Sequence, residues 1–491
     1  MSPHVRFSRR IVARGIAPWL LSLLLVSLAV GFDTAPHYDL TQAVLTEGGF
    51  DSGAIKIVQV QNWMTDYYTT APALGSGNRR EQKWLEQLHC DNLETAAQVK
   101  QYLGQFLHNL KSAAEQAAQK NQPLDTLTIL GMSLHVVQDF YAHSNWVELH
   151  PRTDDAYRTE TFLSQPTGLS PQILTGKVPP TLQSKLGLAA QTPAALLHGG
   201  YAEGLNKDSP IRPRWDEAYV FAYVASHELV ELLQQWSEAV RPGYWERVRR
   251  WQVSGSEQTM LEKDLDAARN ISMWVAIDDS VDGHWKGDKS GARHLFTTFL
   301  GKWEKASNSI FTRQIKDGRI LGQLAENLYS ATPPLALPPM HAFTLRRRAL
   351  LLRTTNIRAL NDGGLLGRME RVDPNSEADF YAHFRIGEQS YRERVIQGVD
   401  NVTNPWFVIH FVEQAVTRVP VSIAVWDEDE SEPGEGFRDD HVDINPQANQ
   451  LDFDFVVNAT DASKEFSSSG AKPDRNRAAI RFTVKQIPLR P

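Results

Sequence analysis

Apolar and polar residues follow two different rhythms along this chain. From about residue 32 to 329, apolar side chains recur every three or four positions. The pattern is clear in "WLEQLHCDNLETAAQVKQYLGQFLHNLKSAAEQAAQ", "LTILGMSLHVVQDFYAHSNWVEL" and "DEAYVFAYVASHELVELLQQWSEAV". That period predicts amphipathic helices. Between the last two stretches, roughly residues 151 to 200, runs a Pro/Gly/Thr-rich loop. It is longer than most connections, as lids and substrate loops often are. "SATPPLALPPM" (330–340) breaks the rhythm with paired prolines and predicts a linker. Beyond it, "ADFYAHFRIG", "PWFVIHFV", "VPVSIAVWDEDE" and "AAIRFTVKQI" alternate apolar with polar residues and favour β-branched and aromatic types. These read as strands. The expected fold class is therefore multidomain α plus β: an all-α domain over residues 32–329, then a β-sandwich over 341–491.

A chain of 491 residues is too long for one compact core, in keeping with two or three domains. With 42% hydrophobic and 22% charged residues it is an ordinary globular protein. A formal charge of −7 argues against general attraction to nucleic acid or anionic lipid. The single cysteine, Cys90, excludes an intrachain disulfide and leaves packing or metals to supply stability.

The first 31 residues read as a targeting segment. Arg6, Arg9, Arg10 and Arg14 precede the uncharged "GIAPWLLSLLLVSLAVG", which is short for a membrane span and ends in the small residues Ala29 and Gly31. "SRRIVA" is similar to a twin-arginine signal. The expectation is an exported bacterial protein, periplasmic or secreted, with a retained anchor as the alternative.

Within "LHVVQDFYAHSNWVE", His135, Asp139 and His143 stand four apart and share one stripe of a helix. A second predicted helix carries His227 and Glu231 at the same spacing. Asp66 in "QNWMTDYY", His89 in "EQLHCDN" and His37 in "APHYDL" add further candidates in aromatic settings. Each fragment alone is more often a core histidine or a solvated carboxylate. Together, imidazole and carboxylate suit zinc, and the set exceeds what one tetrahedral ion uses. A cluster of two or three ions with a bridging carboxylate would use them all.

The ordered set His37, Asp66, His89, His135, Asp139, His143, His227, Glu231 resembles the bacterial zinc-dependent phospholipase C family. "QNWMTDYY", "LHVVQDFYAHSNWVE" and "GLNKDS" (204–209) are most similar to its Het-C-like branch. The resemblance implies one zinc on His89, His135 and Asp139, and a second on His143, His227 and Glu231. It implies a third on His37, Asp139 and a mature N-terminus at Phe32. Asp66 would be the general base beside the attacking water, or a supporting ligand. The implied reaction hydrolyses the phosphodiester of phosphatidylcholine-like lipids to diacylglycerol and a phosphorylated head group. Trp63, Phe140, Tyr141 and Trp146 would line a choline pocket or, more ordinarily, fill the core. Asp282 and His284 in "DDSVDGHWKGDKSG" suit a solvated loop better than a site.

The C-terminal region resembles a C2-type β-sandwich. Asp373 and Asp379 would come from one loop, and Asp427, Asp429 and Asp440 from another, converging on calcium. An acidic solvated loop is the plainer reading of "DEDESEPGEGFRDD". A calcium-loaded sandwich would dock on a phospholipid membrane surface, with Trp426 or Phe437 inserting. Nucleic acid is not favoured as a partner, and no obligate protein partner is evident. The rival functions are a zinc nuclease or other phosphodiesterase, and a Het-C-like non-catalytic membrane or interaction protein whose metals are structural.

Overall fold

The computed structural model describes residues 34–70, 87–177, 204–256, 347–360, 378–427 and 439–490, less a few short stretches within them. Helices fill the N-terminal half and strands the C-terminal region. The expected leader, the 330–340 linker, Asp282 and His284 lie outside the described residues.

The helices are α1 (Thr34–Glu47), α2 (Ser52–Thr70), α3 (Ala96–Gln119), α4 (Pro123–His143), α5 (Trp146–Leu149), α6 (Trp215–Val240) and α7 (Tyr244–Arg249), with a 3-10 turn at Gln87–His89. Everything is arranged around α4. It opens on Pro123 and Asp125, a favourable first turn, and from Thr126 to His143 every residue is buried. A helix buried on all sides belongs in the middle of a core, and α4 packs against α2, α3, α6 and α7. Gly131 lets α2 come close: a methyl group there would lie 2.5 Å from Gln61 Cβ and 2.6 Å from the Val58 carbonyl oxygen. The start of α3 is fixed by a reciprocal cap, Thr95 Oγ1 accepting from Gln98 N and Gln98 Oε1 from Thr95 N.

The strands form two sheets. The first runs β1 (Tyr157–Arg158), β11 (Ala478–Arg490), β2 (Arg347–Ala359), β5 (Asn401–Thr403), with β10 (Ser463–Ser469) on β11 and β6 (Phe407–Glu413) on β2. The second runs β4 (Gln389–Arg392), β3 (Phe380–Ile386), β7 (Arg418–Asp427), β8 (Asp440–Val442), with β9 (Phe453–Asn458) on β7. Leu350, Leu352, Val408, Phe384, Ile423, Ile480 and Phe482 share the core between the sheets.

Where β2, β6 and the end of β11 meet the helices, the first sheet is apolar on both faces. Side chains alternate sides along a strand, so Leu350 and Leu352 enter the sandwich while Ala349 and Leu351 join the core of the helices. Phe407, Ile409, Phe411, Ile487 and Leu489 do the same. Facing them, α6 presents Trp215, Tyr219 and Tyr223 at four-residue spacing. Tyr223 stacks on Phe411 at 3.5 Å between centroids, and Trp215 meets Phe407 at 5.3 Å. The short strand β1, drawn from the helical part, pairs in parallel with the end of β11. The sandwich is thus welded to the helices rather than carried beside them. Phe411→Ala should cost about 3–5 kcal/mol and lower the denaturation midpoint of helical and sheet signals together, measurable by circular dichroism.

Candidate metal centre

The centre lies where α1, α4 and the 3-10 turn meet. His135 and Asp139 come from successive turns of α4, His37 from α1 and His89 from the end of the turn. All four are essentially without solvent exposure. Asp139 sits among three imidazoles: its Oδ1 lies 3.0 Å from His37 Nε2, and its Oδ2 lies 3.0 Å from His135 Nε2 and 2.8 Å from His89 Nδ1. His135 Nε2 is also 3.2 Å from His89 Nδ1.

The outer nitrogens are held by amides. Asn62 donates through Nδ2 to Thr41 Oγ1 and to Gln138 Oε1, which leaves its Oδ1 to accept from His135 Nδ1 at 3.0 Å. Gln138 donates to Ser226 Oγ, and its Oε1 accepts from His37 Nδ1 at 2.7 Å. The network therefore places a hydrogen on Nδ1 of both rings and turns their Nε2 atoms inward on Asp139. Burial holds the His135 imidazole down to about 3, so that ring is neutral. Neutral Nε2 lone pairs facing a carboxylate repel unless a cation lies between them. Donors about 3.3 Å apart are what tetrahedral bonds of about 2.0–2.1 Å require. Among the described residues, His37, His135 and Asp139 are the group whose ligand atoms converge in this way. The residues fit a zinc-like ion.

His143 stands one turn beyond Asp139 and faces other partners. Its Nδ1 donates to the His89 carbonyl at 2.8 Å and lies 3.0 Å from Asp91 Oδ1, while its Nε2 is 3.2 Å from Asp208 Oδ1. Burial works against its protonation, but the two carboxylates raise its pKa well above the ordinary value.

The expected company of His143 is corrected. His227 points away from it, to Glu47 Oε2 at 2.8 Å, beside the Tyr223 ring. Glu47 in turn accepts from Tyr223 and Arg347 at the junction with the sandwich. Glu231 is half-buried and accepts from Gln235. The cause is the rotation of α6: Ser226 faces Gln138, and each step along a helix turns about 100°, which carries His227 off the centre. Phe32 and the Asp66 side chain lie outside the described residues. Phe140, Tyr141 and Trp146 pack with Phe162 and Phe221 as core rather than forming an open pocket.

Asp379, Asp427 and Asp440 reach one end of the second sheet, where Phe380 pairs with Asp427 and Asp427 with Asp440. Asp427 Oδ1 accepts from Asp379 N at 2.6 Å, and Asp440 Oδ2 accepts from Asn476. Asp439, beside them, accepts from Tyr381 Oη. Trp426 stacks on His441 at 4.2 Å. Asp373, Asp429 and Phe437 lie outside the described residues.

Asp91 and Asp208 are candidates beside the cluster that sequence reasoning missed. The available signals were the two-residue step from His89 to Asp91 and the Asp within "GLNKDS". Glu228, on α6, is another buried carboxyl, hydrogen-bonded by Thr161 Oγ1.

Comparison with known proteins gives two kinds of result. Residues 76–157 match the VWA7 N-terminal domain, a stretch that includes His89, Asp91, His135, Asp139 and His143. No curated protein sequence matches significantly. Among solved structures, an isolated C2 domain is similar at 15% identity and TM-score 0.20, over 28% of this chain and 98% of that one. The calcium-bound tandem C2 domains of extended-synaptotagmin 2 are similar at 14% identity and TM-score 0.19, over 28% of this chain and 45% of that one. Human GIVD cytosolic phospholipase A2 is similar at 12% identity and TM-score 0.19, with 29% of this chain and 17% of that chain covered.

Glu228 gives a pH prediction. Burial raises its pKa from 4.5 to about 7, so the folded protein binds more protons than the unfolded chain in that window. Stability from this group is intact below pH 4.5 and is lost as pH rises to about 7, by about 3 kcal/mol. Glu228→Gln should be more stable than the parent at pH 8 and equal to it at pH 4, by denaturant titration at both pH values.

Proposed function

We propose that this protein is an exported zinc-dependent phosphodiester hydrolase of the phospholipase C type, acting on phosphatidylcholine-like lipids. The observation that carries the reading is Asp139, whose two oxygens face three inward-turned imidazole nitrogens. A carboxylate used on both oxygens is the bridging element of multi-ion phosphoesterase centres. An ion bound there would lower the pKa of a water toward neutrality and offset charge gained at phosphorus. Asn62 and Gln138 lock the imidazoles so that no reorganisation is needed when the reaction proceeds. Asp66, on α2 with Asn62, is assigned the general-base role.

The sandwich is assigned as a C2-type module. Asp379, Asp427 and Asp440 gather at one sheet end, where calcium could bridge them to lipid phosphate. No helix among the described residues is long and apolar enough to cross a membrane. A zinc nuclease is disfavoured by the acidic balance of the chain.

One observation favours a second reading, in which the metal is structural and the protein a Het-C-like interaction module. The four residues of the cluster are almost wholly shielded from solvent, whereas a catalytic ion keeps an open position. Zinc counted by elemental analysis, with phosphocholine release from mixed micelles followed with and without chelator, separates the two. Chelator-sensitive release supports the hydrolase. A large chelator-induced fall in melting temperature without lipid or nucleic-acid turnover supports the structural role.

A further inference from the structure

A cavity opens at the seam where the helices meet the first sheet. Its volume is about 180 Å³, small against the roughly 300–1,000 Å³ of sites that take drug-sized ligands. Its floor belongs to the helical core: Leu351, Phe407 and Ile487 are all buried. Its walls are charged. Arg353, Lys485 and Thr483 come from the sheet, and Arg152 and Asp216 from the helical half.

Strand register explains why these side chains gather. Thr483 on β11 pairs with Arg353 on β2, and Lys485 follows two positions after Thr483. All three therefore stand on the face that carries Leu351, Phe407 and Ile487. Direct and diagonal neighbours across a sheet lie about 5–8 Å apart, close enough for one anion to touch both cations. The Arg353 guanidinium is 4.3 Å from the centre of the Phe407 ring, which fixes it against the apolar floor.

The carboxylate that lines the cavity is already engaged. Asp216 Oδ2 accepts from Arg152 Nη1 at 2.8 Å and from Tyr157 Oη at 2.5 Å. Glu465, opposite Thr483 on β10, is exposed and does not line the cavity. Among the described residues that line it, no second carboxylate answers Arg353 and Lys485. Like charges gathered on one face repel, and a bound anion relieves that repulsion.

We propose that this cavity binds a small organic phosphate monoester. Arg353, Lys485 and Thr483 hold the phosphate, and the organic part lies on Leu351, Phe407 and Ile487. A guanidinium offers a planar fork for two phosphate oxygens, an ammonium adds a point charge, and the threonine hydroxyl donates to a third oxygen. The phosphate dianion matches two cations, where a carboxylate would match one. The site shares no residue with the Asp139 cluster and stands whether or not that cluster holds an ion. Because its walls come from both halves, a bound ester ties the helices to the sheet.

The test is calorimetric titration of the full chain with phenyl phosphate in buffer free of phosphate and calcium. The parent should bind one equivalent. Arg353→Gln and Lys485→Gln should each weaken binding about tenfold or more, the worth of a charge-assisted hydrogen bond. Both side chains are exposed, so the variants should keep the parent's circular dichroism and melting temperature. Arg481→Gln, exposed on the same face of β11 but outside the cavity lining, should bind like the parent. Sedimentation with phosphatidylcholine vesicles, with and without phosphatidic acid, then identifies the source of the ester. Capture of the parent but not of Lys485→Gln by phosphatidic acid makes it a lipid head group. Binding of phenyl phosphate without vesicle capture makes it a soluble ester. No binding by the parent overturns the proposal. So does binding that Arg353→Gln and Lys485→Gln both keep, which puts the ester elsewhere, or that Arg481→Gln weakens equally, which makes it a diffuse charge effect.

Discussion

A fully buried carboxylate has to be matched by positive charge or by donors, and Asp139 is that carboxylate here. Its needs organise the helical half of the molecule. His135 reaches it from one turn back on the same helix, His37 from α1 and His89 from the 3-10 turn. Two of these residues are held from behind: Asn62 carries His135, Gln138 carries His37, and Thr41 and Ser226 hold the two amides. The close approach of α2 at Gly131 belongs to the same arrangement, because the methyl group it lacks would also lie 3.1 Å from Asn62 N. Packing and polar order are therefore one problem in this core, solved around a single charge.

The two halves of the chain share that solution. Where β2, β6 and the end of β11 lie side by side, one face of the first sheet closes the sandwich and the other closes the helical core. The Glu47–His227–Arg347 contacts lie at this junction rather than at the Asp139 cluster. A residue read from spacing as a ligand proves to be part of the seam.

What could be read from sequence follows from how local each feature is. The His135–Asp139–His143 ladder was legible because four-residue spacing fixes a face regardless of what lies across from it. The strands and the helix-to-strand order were legible for the same reason. The placement of His227 was not, because periodicity says which residues share a face but not which face a helix turns to its neighbour. Asp91 was hidden by the left-handed turn at Cys90 and Asn92, which no local preference for cysteine announces. Asp208 was hidden by distance, since it meets His143 across 65 residues. "ALLL" in β2 reads as a continuous apolar run, and only the structure shows that it serves two cores.

The aromatic row on α6 has a consequence for how the chain assembles. Helices rich in local contacts form quickly, whereas sheets built from distant strands wait for loop closure. Trp215, Tyr219 and Tyr223 find Phe407 and Phe411 only once strands nearly two hundred residues downstream are in place. Arg490 meets Asp155 across 335 positions. An early helical intermediate would carry a naked ring-lined stripe, the sort of surface that self-associates or recruits a chaperone. The seam that makes the finished protein one body is thus the part most exposed to error while it is being made.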